Sequence, residues 1–199
     1  MKSNSIMCLA AMASLTPVIT QAEVNRYLEY ADLGLLVANE SKMSGQYPVR
    51  MDMALKSGNW NGLYLLPKYQ YEATSLEQID YSFSKFTLLM GYQYDGERWS
   101  FGLNAGPVRG TEDYGFSHYQ SLGVTGNLYT GYQLSSDWRG EFSIEPLGWR
   151  DGLTTYTNFD VIHMLSRHID IRGTFSVHMR DLEFDDKQLL VGVAGRYRF

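Results

Sequence analysis

Side chains along most of this chain alternate with a period of two. From 169 to 180 the odd positions carry Ile169, Ile171, Gly173, Phe175, Val177 and Met179, and the even ones carry Asp170, Arg172, Thr174, Ser176, His178 and Arg180. Successive side chains of a β-strand point to opposite faces, so such a segment has one apolar face and one charged face. The last segment repeats the pattern, with Leu189, Val191, Val193, Tyr197 and Phe199 set against Gln188, Arg196 and Arg198; Leu190 is the large apolar residue on the polar side. Trp138, Phe142 and Ile144 oppose Arg139, Glu141 and Glu145, and Trp99, Phe101 and Leu103 oppose Ser100, Gly102 and Asn104. The alternation predicts strands over 27–39, 48–55, 60–72, 79–94, 98–109, 117–134, 138–148, 153–165, 169–180 and 188–199. Segments 27–39 and 153–165 alternate least, which leaves eight strands as the alternative to ten. Short turns at 56–59, 95–97, 135–137 and 166–168 take turns with longer polar links near 40–46, 73–78, 110–116, 149–152 and 181–187.

Alternation alone also suits a soluble β-sandwich, but sandwich strands run to about 5–6 residues. A bilayer-crossing strand needs roughly 9–11 residues, and most of these segments reach that length. The fold expected is all-β: an antiparallel up-and-down transmembrane barrel with apolar side chains toward lipid. Its polar face would hold Arg50, Lys56, Lys68, Lys85, Arg139, Arg172, Arg180, Arg196 and Arg198 with Asp32, Asp52, Glu141, Glu145, Asp160 and Asp170. Unpaired buried charges are costly, so these mixed signs imply a cross-braced lumen. Glu141, Glu145, Asp170, Arg139, Arg172, Arg196 and Arg198 form the expected charge network, with the Glu141/Glu145 and Arg172/Arg196 sets joined in it. Tyr94, Trp99, Tyr132 and Trp138, near the short turns, are the expected interface aromatics, where amphipathic rings settle at a membrane boundary.

Composition narrows the classes further. The 199 residues carry a formal charge of −5, and aromatic content is 14%. This acidic balance argues against a nucleic-acid partner, which calls for a basic stripe. Cys8 is the one cysteine, which excludes a disulfide framework. Residues 1–22 read as a secretory signal peptide: Lys2, an apolar run from Ile6 to Leu15, then small Thr20 and Ala22 before a cut. Residues 23–199 are then the barrel domain.

At its C-terminus the chain ends Gly195-Arg196-Tyr197-Arg198-Phe199. An alternating strand closing on a terminal Phe, behind a signal peptide, resembles the integral outer-membrane β-barrel proteins of Gram-negative bacteria, in general character the small OmpX, OmpA-domain and OmpW types. The resemblance implies an outer-membrane location with both termini in the periplasm. It also implies that Tyr197 and Phe199 act as the signal to the barrel-assembly machinery. Membrane lipid and lipopolysaccharide would surround a barrel expected to be monomeric.

Candidate chemistry is sparse. Omptin-like proteases use Asp and His near the outer rim, where His118, His178, Asp113, Asp151, Asp181, Asp185 and Asp186 would lie, but no omptin motif matches. Barrel-type lipid A deacylases resemble a His-x-Ser pattern; here His118 and Ser121 are three apart and would face opposite ways. Glu40, Glu72, Glu77, Glu112, Asp113, Asp151, Asp181, Glu183, Asp185 and Asp186 make the outer links acidic, without the spacing of an EF-hand. No catalytic residue, metal site or cofactor is expected. The expected role is structural or interactive in the cell envelope (integrity, adhesion or docking of an envelope protein). A narrow channel for ions or small solutes is the alternative, and a lipid- or peptide-hydrolysing enzyme at the rim comes third.

Overall fold

The computed structural model describes residues 27–38, 48–75, 80–115, 117–149, 152–180 and 187–199. They form ten strands: β1 Leu28–Ala38, β2 Val49–Ser57, β3 Leu63–Ser75, β4 Asp80–Asp95, β5 Trp99–Asp113, β6 His118–Gln133, β7 Trp138–Trp149, β8 Gly152–Met164, β9 Ile169–Arg180 and β10 Lys187–Arg198. Each pairs with its sequence neighbours, and β10 pairs antiparallel with β1 from Tyr30↔Arg198 to Ala38↔Leu190, closing the barrel. Closure gives every edge a partner, which hydrocarbon demands because no water is there to bond a free N–H or C=O.

The count of ten settles the alternative of eight. β1 and β8 are full strands despite their weak alternation, and the reason is visible in their side chains. β1 turns Tyr30, Leu36 and Ala38 toward the lumen, while β8 carries Thr155 and Thr157 on its outer face, which blurs the hydrophobic contrast.

Four boundaries differ from expectation by two residues or more. β2 continues to Ser57, β3 begins at Leu63 rather than 60 and continues to Ser75, and β5 continues to Asp113. The polar stretch 110–113, expected as part of a link, instead pairs with Ser82–Lys85. The chain then reverses tightly, Tyr114 N–H donating to Ser117 O at 3.0 Å beside Gly115 at φ 79°. Polarity marked where the strands leave the apolar belt rather than where they end. The leader at 1–22, residues 23–26 and the links at 40–46, 76–79 and 181–186 lie outside the described residues.

The short turns gather at one end of the barrel, together with the start of β1 and the end of β10. The β2–β3 turn shows how sequence fixes them. Trp60 and Leu63 exchange both backbone hydrogen bonds around Asn61 (φ 52°) and Gly62 (φ 90°). A two-residue hairpin loop of this kind requires positive φ at both positions, which Asn-Gly adopts at least cost. Outward positions form an apolar belt in which Leu35, Leu103, Leu128, Phe159, Val191 and Val193 are exposed.

Candidate functional site

Among the described residues polar chemistry concentrates in the interior, and strand parity puts it there. Even positions of β1–β3, β5 and β8–β10 and odd positions of β4, β6 and β7 point inward. Near the turn end, Lys56 Nζ donates to Gln93 Oε1 at 2.5 Å and sits 2.7 Å from Glu29 Oε2. Arg198 reaches Asp170 at 2.8 Å, and Arg139 lies 3.0 Å from Glu141 while donating to Ser100 Oγ. Deeper, Arg196 makes two bonds to Asp32, at 2.8 and 3.0 Å, and Arg172 approaches the same carboxylate at 3.2 Å. The Arg196 guanidinium also lies 4.0 Å over the Tyr30 ring.

Further toward the link end, Glu145 of β7 receives Lys68 at 2.6 Å and Lys85 at 3.4 Å. Those lysines stand on β3 and β4, separated from β7 by intervening strands, so their side chains span the lumen. Arg50 is held by Asp52 through two bonds, and both Arg50 and Lys85 face the Tyr156 ring, at 5.5 and 4.7 Å. Beside this layer and toward the links lie two apolar clusters of buried side chains: Leu36, Ala38 and Leu190, and Val108, Leu147 and Tyr156. Leu190, on the polar side of its strand's pattern, is thereby a buried inward side chain packed with Leu36 and Ala38 rather than an exception. The space that remains is a cavity of about 180 Å³ among the charged side chains.

All seven residues of the expected network point inward, but they form separate groups. Arg139 pairs with Glu141, Arg198 with Asp170, and Arg172 and Arg196 with Asp32. No direct ion pair joins the Glu141/Glu145 set to the Arg172/Arg196 set, although the Glu141 charge is felt at Arg196. Asp32 lies directly across from Arg196 on the neighbouring strand and captures both arginines, leaving Glu145 to the lysines. The side chain of Arg180 is outside the described residues. Sequence reasoning missed Tyr30, Tyr64, Tyr129 and Tyr156, which line the cavity. Their parity with neighbouring charges was the available signal, obscured by assigning aromatics to the outer belt.

Tyr94, Trp99, Tyr132 and Trp138 all sit on the outer face at the turn end, Trp99 against Tyr132 at 4.5 Å and Trp138 stacked on His163 at 4.3 Å. Tyr197 packs edge-on to Phe199 at 5.2 Å, and Phe199 N–H donates to Glu29 O at 3.1 Å, tying the terminus to β1. His118 lies 3.9 Å from Asp113, with both exposed. Ser121 occupies the opposite face of the strand from His118. Among the described residues no group of three or more His, Cys, Asp or Glu is placed to hold a metal. Asp151, Asp181, Asp185 and Asp186 fall outside them.

Solved structures share this architecture. The NanC porin aligns with a TM-score of 0.56 at 9% identity, over 85% of this chain and 100% of that one. The β domain of the Bordetella autotransporter BrkA aligns with a TM-score of 0.51 at 12% identity, over 87% of this chain and 100% of that one. The chain has the fold of outer-membrane β-barrel proteins. At such identities the likeness establishes the fold alone. No protein-family model and no curated protein sequence matches the chain.

Proposed function

We propose that the protein is an integral, non-enzymatic outer-membrane barrel whose lumen is closed and whose role is structural or interactive in the envelope. Its short turns and both termini face the periplasm, as barrels with short periplasmic turns require. Outer-membrane lipid and lipopolysaccharide surround it, the assembly machinery reads Tyr197 and Phe199, and an envelope protein docks on its links or lumen. The observation that carries this reading is the lumen itself. Lys68 and Lys85 bridge it to Glu145, with apolar clusters of buried side chains beside and beyond them. Barrels of about eight strands are filled by side chains, whereas 16–18 leave an aqueous channel, and ten strands lie near the filled end.

Planar-bilayer recording of the folded protein tests this. The expected record has no conductance steps of general-porin size, and such steps would overturn the closed lumen. A narrow channel is the second reading, favoured by the partial exposure of the Lys68 and Asp52 side chains, 31% and 26%, within the cavity. It predicts small, infrequent steps and slow liposome swelling by small solutes. Against an enzyme stands the separation of His118 and Ser121 on opposite strand faces. Unchanged lipid and peptide substrates after incubation with the folded protein are the expected outcome.

A further inference from the structure

Burying a hydrogen-bond donor without an acceptor costs about 1–3 kcal/mol, so such groups in a lumen ask what fills them. Two lie close together here. Arg50 spends Nε and Nη2 on Asp52, and its Nη1 has no partner; Gln70 Nε2 has none either. Both residues are more than nine-tenths buried, at 8% and 7% exposure, and both line the cavity.

Their surroundings give the missing partner a sign. Gln70 stands opposite Asp52 on one neighbouring strand and opposite Lys85 on the other. Lys68 lies two positions from Gln70 on the same strand face, turned toward the same cavity. Arg50, Lys68 and Lys85 are balanced by Asp52, Glu145 and Glu72, the last directly across from Arg50. Both unpartnered groups are donors and the ammonium groups of Lys68 and Lys85 stand beside them, so they match an acceptor, and an anionic one forms the stronger bonds.

We propose that this corner is a binding site for a small oxyanion, a carboxylate or a phosphate, accepting from Arg50 Nη1 and Gln70 Nε2 with Lys68 and Lys85 supplying the field. A cavity of about 180 Å³ admits a group of that size and excludes a large solute. The site rests on the cavity and its donors, not on the closed-lumen reading, and binding without conduction is compatible with both.

The test uses the folded protein in detergent, with sodium acetate or sodium phosphate titrated at constant ionic strength against sodium chloride. The readout is the temperature at which heating shifts its gel mobility. The midpoint should rise saturably with acetate, phosphate or both, the pattern distinguishing a carboxylate from a phosphate source. Gln70→Leu should weaken the apparent affinity about tenfold, the factor expected from one lost charge-assisted bond. Gln70→Glu, which keeps the shape and replaces the donor by a negative acceptor, should abolish the response. Both variants should retain a heat-shifted band, so loss of binding is separable from loss of fold. A midpoint that responds equally to chloride alone, or a saturable response untouched by both Gln70 variants, would overturn the site and leave the donors to water.

Discussion

Two walls of the lumen carry opposite charge. β2–β4 contribute Arg50, Lys56, Lys68 and Lys85 against Asp52, whereas β7–β8 contribute Glu141, Glu145 and Asp160 against Arg139. The β5–β6 wall between them lines the cavity with the uncharged Asn104, Asn127 and Tyr129. Complementary walls in a low-dielectric interior attract, and the long lysine side chains convert that attraction into contact with Glu145. Pairs within one wall, such as Arg139 with Glu141, hold their own strand in shape but do not tie the walls together. The lesson is that spanning contacts and same-strand contacts should differ sharply in what they contribute.

Removing the spanning contact gives the largest expected effect. Glu145→Ala strands the buried Lys85 ammonium and frees the partly exposed Lys68 one, and leaving a buried charge without its partner costs about 3–5 kcal/mol. Urea unfolding in detergent, followed by gel mobility, should show the loss, and an effect below that of Arg139→Ala would break the comparison. Leu190→Ala comes next, because its side chain is 1% exposed and packed with Leu36 and Ala38. A cavity there should cost about 3 kcal/mol by the same measurement.

Arg139→Ala should cost about 2 kcal/mol or less, since it removes a same-strand pair with Glu141, the arginine side chain 29% exposed, and one bond to Ser100 on β5. Adding salt should weaken the contribution of Arg139 and leave that of Glu145 nearly unchanged, because buried pairs are screened less. Smallest of all should be the combined replacement Glu145→Leu, Lys68→Met and Lys85→Leu. An apolar substitute for a complete buried ion group is commonly neutral or even stabilising. A loss as large as that of Glu145→Ala alone would show that the charges act by more than mutual compensation.

The distinction also explains what the sequence could reveal. Period-two alternation exposed the strands, the inward charges and the outer aromatics at the turn end, because parity is a local property of the chain. Partner choice is not local. Asp32 lies far in sequence from Arg196, yet strand closure puts them opposite one another, and that closure decides which arginines remain for Glu141 and Glu145. The inward tyrosines were hidden for a related reason. Tyr30, Tyr64 and Tyr156 offer rings to Arg196, Lys56 and Lys85, a use of aromatic surface that outer-belt composition does not announce. Leu190 was flagged by its parity, but its purpose waited on Leu36 and Ala38 from the strand that closes the barrel.

The central claim is tested most directly at two adjacent residues, Leu35 and Leu36, which the structure places on opposite faces of β1 at 55% and 3% exposure. With Cys8 replaced by Ser, each position carries a single cysteine in protein reconstituted into lipid. A fluorophore on Leu35→Cys should be quenched by brominated lipid tails, while Leu36→Cys should resist a thiol reagent until the barrel is heated open. Ready labelling of Leu36→Cys in the folded protein, or a Leu35→Cys probe untouched by brominated lipid, would contradict a closed barrel that meets hydrocarbon on its outer face.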